Sequence, residues 1–166
     1  MQKLTKHLST NYYNLYREYH YKDIEPKIFS EEMLEGKFEN GDFQYPDDYK
    51  IHCFRSDSTQ EFYIQVDTER FTNHTRTIFN TQWEKMPFSL CFPAPASLPQ
   101  KPANISLMIK IANLLSLNFN ALRVDLYNVN NAIFVGELTF THGGGVEKFT
   151  PNIWDKKFAE SWQVKA

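Results

Sequence analysis

The sequence lacks a long apolar run, an excess of basic residues and a paired-cysteine motif. No hydrophobic stretch approaches the roughly 20 residues needed to span a bilayer. The N-terminal sequence MQKLTKHLSTNYY has no continuous apolar region of the kind found in a signal peptide. The formal net charge is −2, whereas nucleic-acid binders usually present a basic stripe. These absences predict a cytoplasmic protein with no membrane span and no nucleic-acid partner.

Cysteine is scarce, since Cys53 and Cys91 are the only two in 166 residues. Without a CxxC pair they are expected to be reduced core residues of a cytosolic protein. Aromatic side chains are abundant instead, with 14 Phe and 9 Tyr. Chains of about 150 residues bury roughly 70% of their unfolded surface. We therefore expect one domain with a substantial core and no internal repeat.

Hydrophobic periodicity predicts the elements of the first half of the chain. Residues 2–20 carry apolar side chains at three- and four-residue steps, which predicts one amphipathic helix. Residues 27–34 predict a strand that leaves into a loop, and the polar residues 35–48 predict a turn region. Strict alternation then predicts a hairpin of residues 49–54 and 61–66 and a third strand over 76–79.

The second half begins with a proline-rich segment, residues 84–102, which cannot be a helix or a central strand. Its aromatic content predicts that it lies against the body of the protein. Asn104 is a good N-cap for a helix over residues 105–116. The buried face of this helix is expected to comprise Ile105, Met108, Ile109, Ala112 and Leu115. A short last helix is predicted over residues 152–160.

Residues 121–145 are the most informative stretch, because they predict two strands joined by an Asn-rich turn and followed by three glycines. Alternation places apolar side chains on one face of this hairpin, namely Leu122, Val124, Leu126, Phe134, Leu138 and Phe140. The opposite face then carries polar side chains, namely Arg123, Asp125, Tyr127, Glu137 and Thr139.

Asp125 and Glu137 share a face only in some registers of this hairpin. A two-residue loop, Asn130-Asn131, puts residue 125 opposite 136 and separates the two acids. A three-residue loop over 129–131 puts them diagonally on one face, and the sorting of apolar residues favours it. Two carboxylates on neighbouring strands could then bind Mg²⁺, which takes oxygen ligands. A pair of solvent-facing acids explains the same spacing.

Three other features have both a functional and a purely structural interpretation. His142 precedes Gly143, Gly144 and Gly145, whose backbone N–H groups could approach an anion or form a mobile lid; a flexible turn is the alternative. Lys50 shares a strand face with His52 and could reach a phosphate or extend to solvent. Glu31-Glu32 could offer a backbone edge to a nucleobase or simply end a strand.

The order of these segments resembles the TupA-like ATP-grasp family. The resemblance rests on IFSEEML (28–34), Asp48-Tyr49-Lys50, KPANISLMIKIANLLS (101–116), RVDLY (123–127), GELTF (136–140) and HGGG (142–145). RVDLY followed by GELTF is its most specific part. The family is associated with bacterial cell-surface polysaccharide biosynthesis. The implied fold is α+β, a mainly antiparallel sheet flanked by helices, corresponding to the C-terminal region of an ATP-grasp domain over residues 1–166.

The resemblance also implies roles for individual residues, with ATP and Mg²⁺ as cofactors. Glu31 would begin the adenine-binding hinge, and Glu32, Met33 and Leu34 would supply backbone and ribose contacts. Lys50 would lie near the phosphates, and Arg123 would stabilise charge on the transferring phosphoryl group. The metal ligands would be Asp125 and Glu137, followed by Thr139, a weaker ligand than the Asn usual at that position. The loop of His142, Gly143, Gly144 and Gly145 would face the substrate.

The implied activity is ATP-dependent activation of a carboxylate as an acyl phosphate, followed by attack of an amine or similar nucleophile. The chain begins about where the family should already have passed its Gly-rich phosphate loop, so the N-terminal lobe is expected to be missing, or supplied by a partner chain. Two other functions stay open, a glycosyltransferase acting on a polysaccharide precursor and an inactive fragment serving as an interaction module.

Overall fold

A five-stranded antiparallel sheet organises the chain in the computed structural model, which describes residues 2–34, 36–37 and 43–161. The helices are α1 (Gln2–Leu8), α2 (Tyr12–Tyr16), α3 (Ile105–Leu115) and α4 (Ile153–Ser161), with 3₁₀ turns at Tyr19–Tyr21 and His142–Gly145. The strands are β1 (Gly36–Lys37), β2 (Phe43–Gln44), β3 (Asp48–Arg55), β4 (Gln60–Thr68), β5 (Thr75–Phe79), β6 (Ser89–Leu90), β7 (Ala121–Val129), β8 (Ala132–Thr139) and β9 (Phe149–Thr150).

The main sheet has the strand order β5-β4-β3-β7-β8, so β3 lies at its centre. The predicted hairpin of β3 and β4 and the third strand, β5, are confirmed. Alternation within β3 sends Lys50 and His52 to one face and Ile51 and Cys53 to the other. The long connection from β5 to β7 brings Lys50 directly opposite Asp125. The α+β class and the antiparallel sheet therefore agree with the sequence-based expectation.

One face of this sheet packs against α3 and forms the main apolar core. Period-2 alternation in the strands and a helical repeat in α3 supply its side chains. The core residues include Ile51, Ile64, Val66, Phe79, Met108, Ala112, Leu122, Val124 and Leu126. The predicted helix is present, but Leu115 is exposed and Ile111 packs against the core instead. Asn104 makes no side-chain N-cap bond, because its amide pairs with Asn128.

The opposite face is divided between an apolar end and a charged end. At the apolar end, α4 and the short β6–β9 pair cover Phe54 and Ile78, and Phe158 fills the space between them. The proline-rich segment contributes the buried Phe88 and Leu90 here, as predicted. The charged end carries the polar side chains of β3, β4 and β7. It contains the residues that the sequence singled out.

The β7–β8 hairpin differs from the predicted three-residue loop. Val129 pairs with Ala132, so Asn130 and Asn131 form a two-residue turn, and both have positive φ. Type I′ hairpin turns require this conformation at both positions, and Asn tolerates it. A register shift after Asp125 then leaves Gly136 as an extra residue in β8, a β-bulge.

The bulge brings Asp125 directly opposite Glu137. The two acids therefore share a face, as predicted, but the cause is the bulge and not a three-residue loop. It also separates the apolar residues that were expected to lie together. Phe134 pairs with Tyr127 on the polar side, whereas Leu138 pairs with Val124 on the core side. A Cβ at Gly136 would lie 2.7 Å from Cε2 of Tyr127, which explains the glycine.

The predicted single helix over residues 2–20 is wrong. Asn11 caps α2 by accepting a bond from the Tyr13 backbone N–H, and Arg17 has a left-handed conformation with φ of 60°. The expected apolar stripe is largely exposed at Leu15 and Tyr16. Here local capping outweighed helical periodicity.

Three further expectations need correction. Residues 27–34 form no strand. Cys91 is exposed, and only Cys53 is a core cysteine; both are free thiols. The turn region of residues 35–48 contains the short β1 and β2 strands, while residues 35 and 38–42 lie outside the described part. Among the described residues, no helix is long and apolar enough to cross a membrane.

Candidate active site

Lys50 is held between two carboxylates on the charged face of the sheet. Its Nζ lies 2.6 Å from Asp48 Oδ2 and 2.5 Å from Asp125 Oδ2. All three side chains are buried, with Lys50 only 6% exposed. A lysine extending to solvent is therefore excluded, because the ammonium group is removed from water and paired on two sides.

Arg123 holds Asp125 from the other side. Its Nε donates to Asp125 Oδ1 at 2.7 Å, and its Nη2 donates to Asp125 Oδ2 at 2.9 Å. Nη2 also donates to Thr139 Oγ1 at 3.0 Å, and the Thr139 hydroxyl donates to Glu137 at 2.7 Å. Burial lowers the pKa of Arg123, but the hydrogen bonds and charge of Asp125 outweigh burial and raise it above its usual value. Arg123 is thus a permanent cation.

A pocket of about 470 Å³ opens beside these groups. The residues predicted as the hinge, Glu31, Glu32, Met33 and Leu34, contribute to its walls. Strand and loop residues also line it, namely Asp47, Asp48, Asp67, Arg70, Phe71 and Tyr127. Arg70 donates to Asp48 Oδ2 at 2.9 Å. Burial raises the pKa of Asp48, against the opposing charge of Lys50. Asp48 therefore connects the hinge pocket to Lys50.

A second cleft, of about 510 Å³, lies on the same charged face of the sheet, beside the end of β8 that leads into the glycine loop. Its lining includes Arg123, Glu137 and Thr139, together with Gly143 and Gly144 of the glycine loop. Glu18 and three tyrosines of the N-terminal segment complete it, namely Tyr12, Tyr16 and Tyr21. The predicted site residues are thus distributed over two clefts, which the chain of contacts Asp48–Lys50–Asp125–Arg123 joins.

The sequence model of the family described as TupA-like ATPgrasp matches residues 1–163 of the chain. The chain belongs to the TupA-like ATP-grasp family. No curated protein and no solved structure matches it. Membership confirms the resemblance seen in RVDLY and GELTF, and it implies that the protein binds ATP.

In this TupA-like ATP-grasp protein the glycine loop is fixed by a second charged group that sequence inspection missed. Arg76 pairs with Asp67 through Nε and Nη2, at 2.6 and 3.0 Å, and its Nη1 donates to Glu147 at 2.8 Å. His142 Nδ1 lies 3.1 Å from the other oxygen of Glu147. We call Asp67, Arg76, His142 and Glu147 the Arg76 cluster. It ties the loop to strands β4 and β5.

The three glycines all have positive φ, so their loop has a defined shape. At Gly143 a Cβ would lie 2.1 Å from Cγ of Glu147, which leaves no room for a side chain. Burial raises the pKa of Glu147, but hydrogen bonds from His142 and Arg76 outweigh it and lower the pKa to about 2. His142 therefore supports the loop from a partly buried position beside a permanent carboxylate.

The predicted metal ligands match Mg²⁺ in chemistry, because Asp125, Glu137 and Thr139 all offer oxygen. Asp125 and Glu137 face the same side from paired positions, and Glu137 is exposed. Both oxygens of Asp125, however, already accept hydrogen bonds from Arg123 or Lys50. Within the described residues no group of three or more His, Cys, Asp or Glu is arranged to hold a metal. Two carboxylates and one hydroxyl would therefore hold Mg²⁺ only together with oxygen ligands from another molecule.

Sequence reasoning named Asp48 only as part of a motif, without a role, and it missed Asp67, Arg76, Glu147 and Glu18. One signal was available: alternation puts Asp48, Lys50, Gln65 and Asp67 on one face of the β3–β4 hairpin. Nothing in the sequence placed Glu147 or Glu18 beside that face.

Proposed function

We propose that the protein is an ATP- and Mg²⁺-dependent enzyme of the ligase type that activates a carboxylate as an acyl phosphate. The family's association points to bacterial cell-surface polysaccharide biosynthesis as its setting. The substrates are a carboxylate and a nucleophile such as an amine, one of them a polysaccharide precursor.

One observation carries this proposal. The hinge residues, whose role came only from the resemblance, line the same 470 Å³ pocket as Asp48, and Asp48 contacts Lys50. A nucleotide with its base at Glu31–Leu34 would direct its phosphates towards Lys50 and Arg123. Lys50 lies directly behind Asp48, and Arg123 lines the neighbouring cleft, so two cations lie beyond this wall of the pocket and suit a polyphosphate.

The chain's own groups have limited tasks in this reaction. A carboxylate oxygen of the substrate attacks the γ-phosphorus, the bond to the β-phosphate oxygen breaks, and ADP leaves. Lys50 and Arg123 stabilise the negative charge on the phosphoryl oxygens, since such catalysis is mainly positioning and electrostatics. The nucleophile then attacks the acyl carbon, the bond to the phosphate oxygen breaks, phosphate leaves, and the proton lost by the nucleophile passes to phosphate or solvent. The second cleft, beside the glycine loop, is the space available for these substrates.

Asp125 and Glu137 would hold Mg²⁺, with Thr139 as a weaker third oxygen donor. A bound metal ion would supply neutralisation of the negative charge on the phosphates.

Calorimetry with ADP and adenosine tests the proposal. The wild-type protein should bind ADP more tightly than adenosine, because only ADP reaches Lys50. Lys50→Met should weaken ADP binding by about tenfold or more, the expected loss of a charged hydrogen bond, and leave adenosine binding unchanged. Lys110→Met, at an exposed position of α3, is the matched control and should behave like wild type.

Three outcomes would contradict the proposal. Absence of ADP and ATP binding by the wild type would remove the enzyme interpretation and favour an interaction module. Equal affinities of Lys50→Met and Lys110→Met would remove Lys50 from the phosphate site. Consumption of a sugar nucleotide without ATP would identify a glycosyltransferase instead.

A further inference from the structure

Each oxygen of Asp125 already accepts a hydrogen bond from a cationic side chain. Oδ1 accepts from Arg123 at 2.7 Å, and Oδ2 accepts from Arg123 at 2.9 Å and from Lys50 at 2.5 Å. The residue is only 2% exposed, so the interactions are weakly screened by solvent. A divalent cation arriving alone would meet two positive charges at the very ligand it needs.

We infer that the phosphates of the nucleotide complete the metal site by taking Lys50 and Arg123 from Asp125. The two cations that neutralise Asp125 are also the cations available to phosphate oxygens. When they turn to the phosphates, both oxygens of Asp125 become available to Mg²⁺, opposite the exposed Glu137. This inference rests on the proposed function, because it takes ATP as the source of the phosphates.

The neighbouring contacts allow this exchange without leaving a carboxylate unpaired. Asp48 keeps Arg70, which donates to the same Oδ2 as Lys50. Glu137 accepts only from the Thr139 hydroxyl among its described contacts and needs no cation to move away. Asp125 loses two cations and gains a metal ion.

The local charge balance gives the same result. Lys50, Arg70 and Arg123 carry three positive charges, and Asp48, Asp125 and Glu137 carry three negative charges. A divalent ion alone adds uncompensated positive charge, and a polyphosphate alone leaves Asp125 without its cations. Bound together, they restore the balance. Metal and phosphates therefore bind with positive coupling, which must be equal in both directions.

Direct titration with Mn²⁺, followed by electron paramagnetic resonance of the free ion, tests the first half of the inference. The wild type alone should bind Mn²⁺ weakly. Lys50→Met removes one competing cation and should bind Mn²⁺ alone several-fold more tightly, within the roughly 5- to 150-fold range of typical couplings. Lys110→Met should match the wild type, and thermal melts would establish that each variant is folded.

Calorimetry with ADP, in EDTA and in excess Mn²⁺, tests the second half. For the wild type, Mn²⁺ should raise ADP affinity by about tenfold, and it should leave adenosine affinity unchanged. Asp125→Asn should lose this gain while binding ADP in EDTA at least as tightly as the wild type, because Lys50 and Arg123 are released. Glu137→Gln should lose part of the gain without that change in EDTA.

Tight binding of Mn²⁺ by the wild type without nucleotide would overturn the inference. An unchanged Mn²⁺ affinity in Lys50→Met, or weaker ADP binding by Asp125→Asn in EDTA, would also overturn it. ADP binding with no effect of metal would leave the nucleotide site standing and remove only the coupling. If the proposed function itself is wrong, the wild-type protein will not bind ADP under either condition.

Discussion

The two charged clusters on this sheet face differ in how many cations serve each acid. In the group around Lys50, Asp48 pairs with Lys50 and Arg70, and Asp125 pairs with Lys50 and Arg123. In the Arg76 cluster, one guanidinium pairs with both Asp67 and Glu147. Their other close partners are histidine nitrogens, of His74 at 3.6 Å from Asp67 and of His142 at 3.1 Å from Glu147. An acid with two cationic partners can give up one of them to a bound ligand. A single cation shared by two acids instead fixes the glycine loop to the sheet.

The largest difference in stability between the two clusters is expected when the central cation of each is removed. Arg76→Met leaves two acids without their main cation, so it should cost about 3–5 kcal/mol of unfolding free energy. Lys50→Met leaves each acid with an arginine and should cost less than half as much. Urea denaturation of both variants measures the difference. Equal losses would mean that duplicate cations do not matter for stability.

Acid should weaken the Arg76 cluster in a defined pH range. The pKa of Glu147 is about 2 in the folded protein, against its usual 4.5. A lowered folded pKa means that its contribution is complete above about pH 4.5 and is lost as the pH falls towards 2. The stability difference between wild type and Glu147→Gln should therefore shrink over this range. The exposed Glu160→Gln is the control, and a constant difference for Glu147→Gln would refute the assignment.

The smallest change in stability is expected for a substitution at the β-bulge. Gly136→Ala places a Cβ 2.7 Å from Cε2 of Tyr127, whose ring must move. The cost should be about 1 kcal/mol. Because Tyr127 also lines the hinge pocket, ADP affinity should fall, while the Arg76 cluster stays intact. Melting curves and calorimetry measure the two effects, and unchanged ADP binding would exclude Tyr127 as a nucleotide contact.

Local pattern was enough to predict much of the sheet. Alternation correctly placed Lys50 and His52 on one face of β3, and the proline-rich segment was correctly excluded from the sheet centre. The hinge that the resemblance implies stays a prediction, although its residues, Glu31 to Leu34, line a pocket. These features depend on a few neighbouring residues or on a family signature.

What the sequence did not predict depends on distant contacts or single backbone choices. Lys50 and Asp125 are 75 positions apart, and only the pairing of β3 with β7 brings them together. The two-residue turn placed Phe134 on the polar face, and the bulge at Gly136 returned Leu138 to the core face, since a shift of one residue exchanges the two faces. In the N-terminal segment, the cap at Asn11 and the left-handed Arg17 interrupted a periodic helix.

The central position of β3 also has a consequence for synthesis of the chain. Until β7 has left the ribosome, β3 is an open edge whose side chains are buried in the finished fold. At about 5–20 residues per second, the 75 positions between Lys50 and Asp125 take roughly 4–15 s to translate. During that interval the nascent chain exposes an unpaired strand edge, the kind of surface that promotes aggregation.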